Sequence, residues 1–184
     1  MPRSWKSRIT LIAVSIAMVA GSSSLAAQVS HGRNLSYSFH VGSAHPLGNL
    51  DSLSDANIHV DVDWTYRFGD LTPGTLLNAK LFVGLNQFTA ETFASIPHPR
   101  WINLSLNAQV VTGPTATGLR GYVQGGGGLY WPKAGSSQAG FNVGLGAQIP
   151  ISAPFSLEFG LDLHQIQTKP ATRFYTVQLG VLFR

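Results

Sequence analysis

Eight stretches of this chain alternate between apolar and polar residues with a period of two. That period places successive side chains on opposite faces of a β-strand, so each stretch predicts a strand with one apolar and one polar face. Prolines fall almost only between the stretches, where no backbone donor is lost from a sheet. The eight predicted strands span residues 35–42, 57–68, 76–88, 101–111, 119–131, 138–149, 155–166 and 174–184.

The seventh predicted strand shows the alternation most clearly. One face carries five apolar side chains: Phe155, Leu157, Phe159, Leu161 and Leu163. The other face carries Ser156, Glu158, Gly160, Asp162 and His164. Short turn-forming segments separate neighbouring strands, so we expect them to pair as successive antiparallel hairpins in one all-β domain.

The alternation alone fits two kinds of barrel. A soluble barrel turns its apolar face inward, whereas a membrane barrel turns it outward against lipid. Charged residues are only 11% of the chain, against about 25% in an average soluble protein. The polar face consists mostly of Gly, Ser, Thr, Asn and Gln, which suit the narrow interior of eight strands. These observations favour an eight-stranded antiparallel up-and-down transmembrane β-barrel.

Aromatic residues and strand length agree with this interpretation. A strand of about ten residues, tilted by about 45°, rises roughly 23 Å, which matches the apolar band of a membrane barrel. Lipid offers no partner to an unpaired sheet edge, so we expect the first and last strands to pair. Aromatic side chains near strand ends suit the interfacial girdles of such a barrel: Tyr37, Trp64, Tyr66, Phe68, Trp131, Phe155, Tyr175 and Phe183.

The N-terminus has the three parts of a secretory signal. Positive charges at Arg3, Lys6 and Arg8 precede an apolar run over residues 9–20, and a small-x-small cleavage pattern ends at Ala26. We predict a signal peptide over 1–26 and a barrel domain over 27–184; an anchoring N-terminal helix is the alternative. No further domain is expected after the eighth strand.

Removal of the predicted signal nearly neutralises the chain. Nine basic residues then remain against 8 acidic ones, a formal net charge of +1. The basic residues form no cluster or stripe, so the sequence gives no reason to expect a nucleic-acid partner. The chain contains no cysteine, which excludes disulfides and thiolate chemistry.

Glycine-rich segments at 122–130 and 140–146, together with the closing residues 175–183, carry a resemblance to a known family. The mature chain resembles outer-membrane β-barrels of the OmpA-transmembrane and opacity type. The resemblance implies a Gram-negative outer-membrane location, contact with outer-membrane lipid and insertion by the barrel-assembly machinery. The family usually ends in an aromatic residue, whereas here Arg184 follows Phe183.

Charged residues on the predicted inner faces are candidates for a lumen network. Ions in a narrow lumen have to pair, because an isolated buried charge is costly. We expect a network that plugs the barrel statically; a gated ion path through rearranged pairs is the alternative. The predicted members are Asp61, Asp63, Arg67, Lys80, Arg120, Glu158 and Asp162.

Three histidines, His40, His59 and His164, are predicted to face the lumen, whereas His45 is predicted to lie in a loop. A first hairpin symmetric about residues 49–50 would place His40 opposite His59, a geometry that can bind zinc or copper. No carboxylate spacing completes a known ligand set, so we expect hydrogen-bonded histidines with no metal or cofactor.

Catalysis on lipid would need a nucleophile and a base within hydrogen-bond reach on the outer face. The predicted outward positions are apolar, so we expect no catalytic residues and no enzymatic activity. The sequence therefore predicts an integral outer-membrane barrel that is mainly structural, with short surface loops whose ligands are unknown. Three alternatives stay open: a small gated pore or transport component, a lipid-modifying enzyme, and a soluble periplasmic ligand-binding barrel.

Overall fold

The computed structural model describes residues 34–51, 54–90, 99–113 and 118–184. The predicted signal peptide at 1–26 lies outside the described residues. No helix among the described residues has the length and apolarity needed to cross a membrane. Eight long strands form: β1 Leu35–Leu47, β2 Asn57–Thr72, β3 Thr75–Gln87, β4 Arg100–Thr112, β5 Arg120–Pro132, β6 Gln138–Ser152, β7 Phe155–Ile166 and β8 Thr172–Phe183.

The eight strands close into one barrel. Each strand is antiparallel to the next along the chain, and β1 pairs with β8 from Tyr37 opposite Phe183 to Leu47 opposite Arg173. Closure leaves no open sheet edge in the barrel, as a bilayer demands. The predicted fold class and the pairing of first and last strands are confirmed.

The two ends of the barrel differ in their connections. One end holds residue 34, the end of β8 and the tight turns between β2 and β3 and between β6 and β7; we call it the termini end. At the opposite end, which we call the loop end, a 3₁₀ turn at Gly48–Leu50 follows β1. A two-residue ladder there joins Ser54–Asp55 to Thr89–Ala90.

Seven of the eight predicted strands match the observed ones to within a few residues, but β1 runs five residues beyond its predicted end at Gly42. The sequence predicts a turn at Pro46, yet Pro46 lies in the strand opposite Phe174. A proline is tolerated so close to a strand end because few ladder donors are affected. The first hairpin is also shifted by two residues from the predicted register, so that His40 faces Asp61, and Gly42, not His40, faces His59.

The two faces of the barrel are the reverse of those of a soluble protein. On β4, Leu104 and Leu106 point outward and Leu106 is 62% exposed, whereas Asn103, Ser105 and Asn107 are buried inside. The other strands repeat this arrangement, so large apolar side chains cover the outside of the barrel. Such a surface is stable against hydrocarbon and unstable against water. The predicted transmembrane orientation is confirmed, and the soluble alternative does not fit it.

Glycines let neighbouring strands approach closely on the inner face of β5. A Cβ atom at Gly126 would lie 2.0 Å from the carbonyl oxygen of Leu106, whereas one at Gly121 would have nothing within 4 Å. The backbone at Leu106 belongs to the β4–β5 ladder and cannot move away without breaking hydrogen bonds.

We therefore expect Gly126→Ala to lower the free energy of unfolding by about 1–3 kcal/mol through overpacking, and Gly121→Ala to leave it nearly unchanged. Urea unfolding of both variants in phospholipid vesicles, followed by tryptophan fluorescence, measures the difference. Equal effects of the two substitutions would contradict the close approach of β4 and β5.

Candidate functional site: the polar lumen

An ammonium group held between two carboxylates lies at the centre of the lumen. Lys80 on β3 approaches Asp63 on β2 at 2.8 Å and Glu158 on β7 at 3.1 Å. All three side chains are buried. Three strands thus bring together oppositely charged groups that none of them could bury alone.

A third carboxylate lies between two imidazoles. Asp61 contacts His40 Nδ1 through Oδ1 and His59 Nε2 through Oδ2, each at 2.6 Å. His40 also lies near both carboxylates of the lysine, with Nδ1 3.5 Å from Asp63 Oδ2 and Nε2 3.6 Å from Glu158 Oε1. The histidines and the lysine therefore belong to one continuous network.

Both ring nitrogens of His59 lie close to oxygen atoms. Its Nδ1 lies 2.7 Å from Asn86 Oδ1, and its Nε2 lies 2.7 Å from Gln178 Oε1 as well as near Asp61. The amide nitrogen of Gln178 donates to Asp162 Oδ2, which turns the amide oxygen toward the histidine. Because both ring nitrogens face acceptors, the arrangement suits an imidazolium with two N–H donors.

Side-chain amides complete the carboxylate contacts. Gln124 Nε2 donates to Asp162 Oδ1 at 2.6 Å, and Gln148 Nε2 donates to Glu158 Oε2 at 3.2 Å. These neutral donors stabilise ionised carboxylates in a space with little water. Four acidic groups can therefore share the lumen with one lysine and two protonatable histidines.

One of the two arginines predicted for the network, Arg67, lies outside the lumen. Arg67 is 44% exposed and pairs with Asp70, because β2 is irregular between Arg67 and Gly69 and leaves the regular ladder. The prediction that Arg67 belongs to the lumen network is therefore wrong. Arg120 is buried at the start of β5, where it stands opposite Gln148 on β6. Arg184, which the sequence analysis did not assign, donates from Nη2 to Gln148 Oε1 at 2.7 Å.

His164 lies apart from the charged cluster in an aromatic setting. Its ring stacks on Phe174 with centroids 4.6 Å apart, and its Nδ1 lies 3.0 Å from the hydroxyl of Tyr130. Both residues belong to a buried apolar cluster toward the loop end of the lumen, which we call the aromatic plug. It consists of Ala44, Phe88, Trp101, Tyr130, Ile166 and Phe174.

The sequence analysis missed the aromatic plug. Inward parity continues along β3 from Lys80 through Phe82 and Asn86 to Phe88, and that continuity was the available signal. The sequence predicted aromatic residues only on the outer face, where girdles lie. An inward aromatic near a strand end fills the lumen instead.

Three buried groups come close enough to share a cation. One ligand atom from each of His40, Asp61 and Asp63 lies within 4.8 Å of the others. The ammonium of Lys80, 2.8 Å from Asp63, already supplies a positive charge at this point. The geometry therefore favours an internal ion-pair network over a metal site.

The extension of β1 also places two polar side chains, Ser43 and His45, on the outer face. The prediction that His45 lies in a loop is therefore wrong, and the outward positions are not all apolar. The alternation Tyr37, Phe39, Val41, Ser43, His45 was the signal that continued past the predicted end of the strand.

Replacing Lys80 tests how strongly the network depends on its central cation. We expect Lys80→Met to lower the free energy of unfolding by about 3–5 kcal/mol, because Asp63 and Glu158 stay buried without it. Arg67→Met is the matched control, and we expect at most about 1 kcal/mol from its exposed pair. Urea unfolding in vesicles measures both, and equal losses would contradict a central role for Lys80.

Comparisons with known proteins support the fold. Neither a protein-family model nor a curated protein matches this sequence. Neisserial surface protein A is 13% identical, with 81% of this chain and 96% of that chain covered and a TM-score of 0.59. The outer membrane enzyme PagL is 10% identical, with 81% of this chain and 99% of that chain covered and a TM-score of 0.53.

A third solved structure, the outer membrane protein OprG from Pseudomonas aeruginosa, is 11% identical, with 81% of this chain and 96% of that chain covered and a TM-score of 0.52. At such identities the likeness concerns the fold alone. The fold of this chain is the closed eight-stranded barrel of bacterial outer-membrane proteins.

Proposed function

We propose that the protein is an integral outer-membrane barrel with a closed lumen and a mainly structural role. The observation that carries this proposal is the double filling of the lumen. The charged cluster around Lys80 occupies its centre, and the aromatic plug around Phe174 occupies the region toward the loop end. Two filled layers in series leave little room for a path through eight strands.

The outer surface supports a lipid environment. Exposed apolar side chains cover all eight strands, and aromatic residues such as Trp131 and Phe155 stand near strand ends. In the proposed orientation the termini end faces the periplasm and the loop end faces the cell exterior. Insertion by the barrel-assembly machinery is part of this proposal, with the aromatic Phe183 in the closing strand as its support.

Two of the connections at the loop end are short. The connection between β5 and β6 spans only residues 133–137, and that between β7 and β8 only residues 167–171. Short connections favour a role in the membrane itself over recognition of a large surface ligand.

A closed lumen should not conduct. In planar bilayers we expect the folded wild-type protein to give no stable conductance steps, because the ion pairs and the aromatic plug exclude a continuous water column. Stable steps that change when Lys80 or Arg120 is replaced by Gln would contradict the structural role and favour the gated pore.

Cell fractionation combined with gel electrophoresis tests the location. We expect the protein in the outer-membrane fraction, with a mobility in unheated SDS that shifts on boiling as the closed barrel unfolds. A protein that stays monomeric in buffer without detergent would contradict the proposal, because a large apolar outer face would not stay soluble in water.

A further inference from the structure

β1 carries on its lipid-facing side a serine and a histidine that hydrogen bond to each other. The hydroxyl oxygen of Ser43 and Nε2 of His45 lie 2.8 Å apart. Two residues apart on one strand, both side chains share the face of Phe39 and Val41. A hydroxyl in contact with an imidazole nitrogen is the arrangement by which proteins activate serine as a nucleophile.

The pair lies where the apolar band of the barrel ends. In the sheet, Ser43 stands opposite Ile58 on β2 and Val177 on β8, both exposed to lipid. His45 stands opposite Tyr175, an aromatic residue of the kind that marks the membrane interface. Acyl esters of membrane lipids lie at this boundary between hydrocarbon and headgroups, so the hydroxyl is at the depth of its substrate.

The imidazole is held in place from the neighbouring strand. The rings of His45 and Tyr175 are stacked, with centroids 4.7 Å apart and planes only 7° from parallel. This contact orients the ring so that Nε2 points at Ser43. Both members of the pair are half-buried, so lipid can reach them from the side.

A cationic side chain follows on the same face toward the loop end. Arg173 is exposed opposite Leu47, two residues beyond Tyr175, and its Nε donates to Gln165 Oε1 at 2.8 Å. Four residues separate Leu47 from Ser43, roughly 13 Å along the strand and less in depth because strands tilt. A guanidinium above the ester level suits a lipid phosphate.

We propose that Ser43 and His45 form a nucleophile–base pair that hydrolyses acyl esters of phosphate-bearing membrane lipids. Ser43 Oγ attacks the ester carbonyl carbon while His45 Nε2 takes the hydroxyl proton. The bond between the carbonyl carbon and the lipid alcohol then breaks, and His45 returns the proton to the departing alcohol. This activity would be additional to the structural role.

Water completes the cycle. A water molecule from the interface attacks the acyl-serine carbonyl, and His45 takes one of its protons. The bond to Ser43 breaks, the proton passes to Ser43 Oγ, and a fatty acid leaves. Hydrolysis consumes one ester and one water and involves no oxidation or reduction.

The test uses the purified folded barrel in two vesicle preparations. One contains phosphatidylethanolamine and phosphatidylglycerol, and the other contains lipid A in addition, so that the arms distinguish the two sources of the ester. Released fatty acids are measured by mass spectrometry. We expect release in at least one arm, and a loss of at least about 100-fold in Ser43→Ala and in His45→Gln.

Thr112→Ala is the matched control, because Thr112 is an exposed hydroxyl residue at the opposite end of the barrel. It should leave fatty-acid release unchanged. A fluorophosphonate provides a second readout without lipid turnover: we expect covalent labelling at Ser43, identified by peptide mass spectrometry, and weaker labelling in His45→Gln.

The proposal is overturned if the folded wild-type protein releases no fatty acid in either arm, or if Ser43→Ala releases as much as the wild type. The heat-dependent gel shift reports folding independently in every variant. A failure of the hydrolytic proposal would therefore leave the membrane-barrel proposal standing.

Discussion

The inability of hydrocarbon to hydrogen bond with a peptide backbone shapes this whole structure. Each unpaired N–H or C=O in the bilayer would cost several kcal/mol, so a sheet can cross only as a closed barrel. The ladder between β1 and β8 meets this requirement. Closure with eight strands then leaves an interior of side-chain width, and this explains the small and polar residues that line it.

The lumen is stable only because its charges come as a set. Lys80 lies between Asp63 and Glu158, and Asp61 lies between two imidazoles. Removing one member leaves the others buried and uncompensated, so the cost of each charge depends on the rest. The aromatic plug excludes water toward the loop end, which strengthens the same electrostatic contacts. The side chains that fill the lumen are thus the same ones that keep its charges paired.

Period-two alternation predicted the eight strands and their two faces, because both depend on side-chain parity. The low charge content then indicated which face meets lipid, and the lack of hydrogen-bond partners in lipid predicted closure. The alternation does not reveal how deep in the barrel a residue lies or which inward side chains meet across the lumen. The two-residue shift that placed Asp61, not His59, opposite His40 depends on the 3₁₀ turn at Gly48–Leu50. The irregularity beside Arg67 likewise depends on contacts that a single strand does not encode.

Pro46 marks the point where reasoning from sequence failed with the largest consequence. The predicted strand ends before Ser43, so the prediction did not place Ser43 and His45 on the outer face, where they could meet lipid. On an outer face that meets lipid, a hydroxyl and an imidazole are less stable than an apolar side chain such as Val177, which stands opposite Ser43 on β8. Their mutual hydrogen bond offsets only part of that cost. A polar pair kept at such a position is easier to understand as a site for chemistry than as packing.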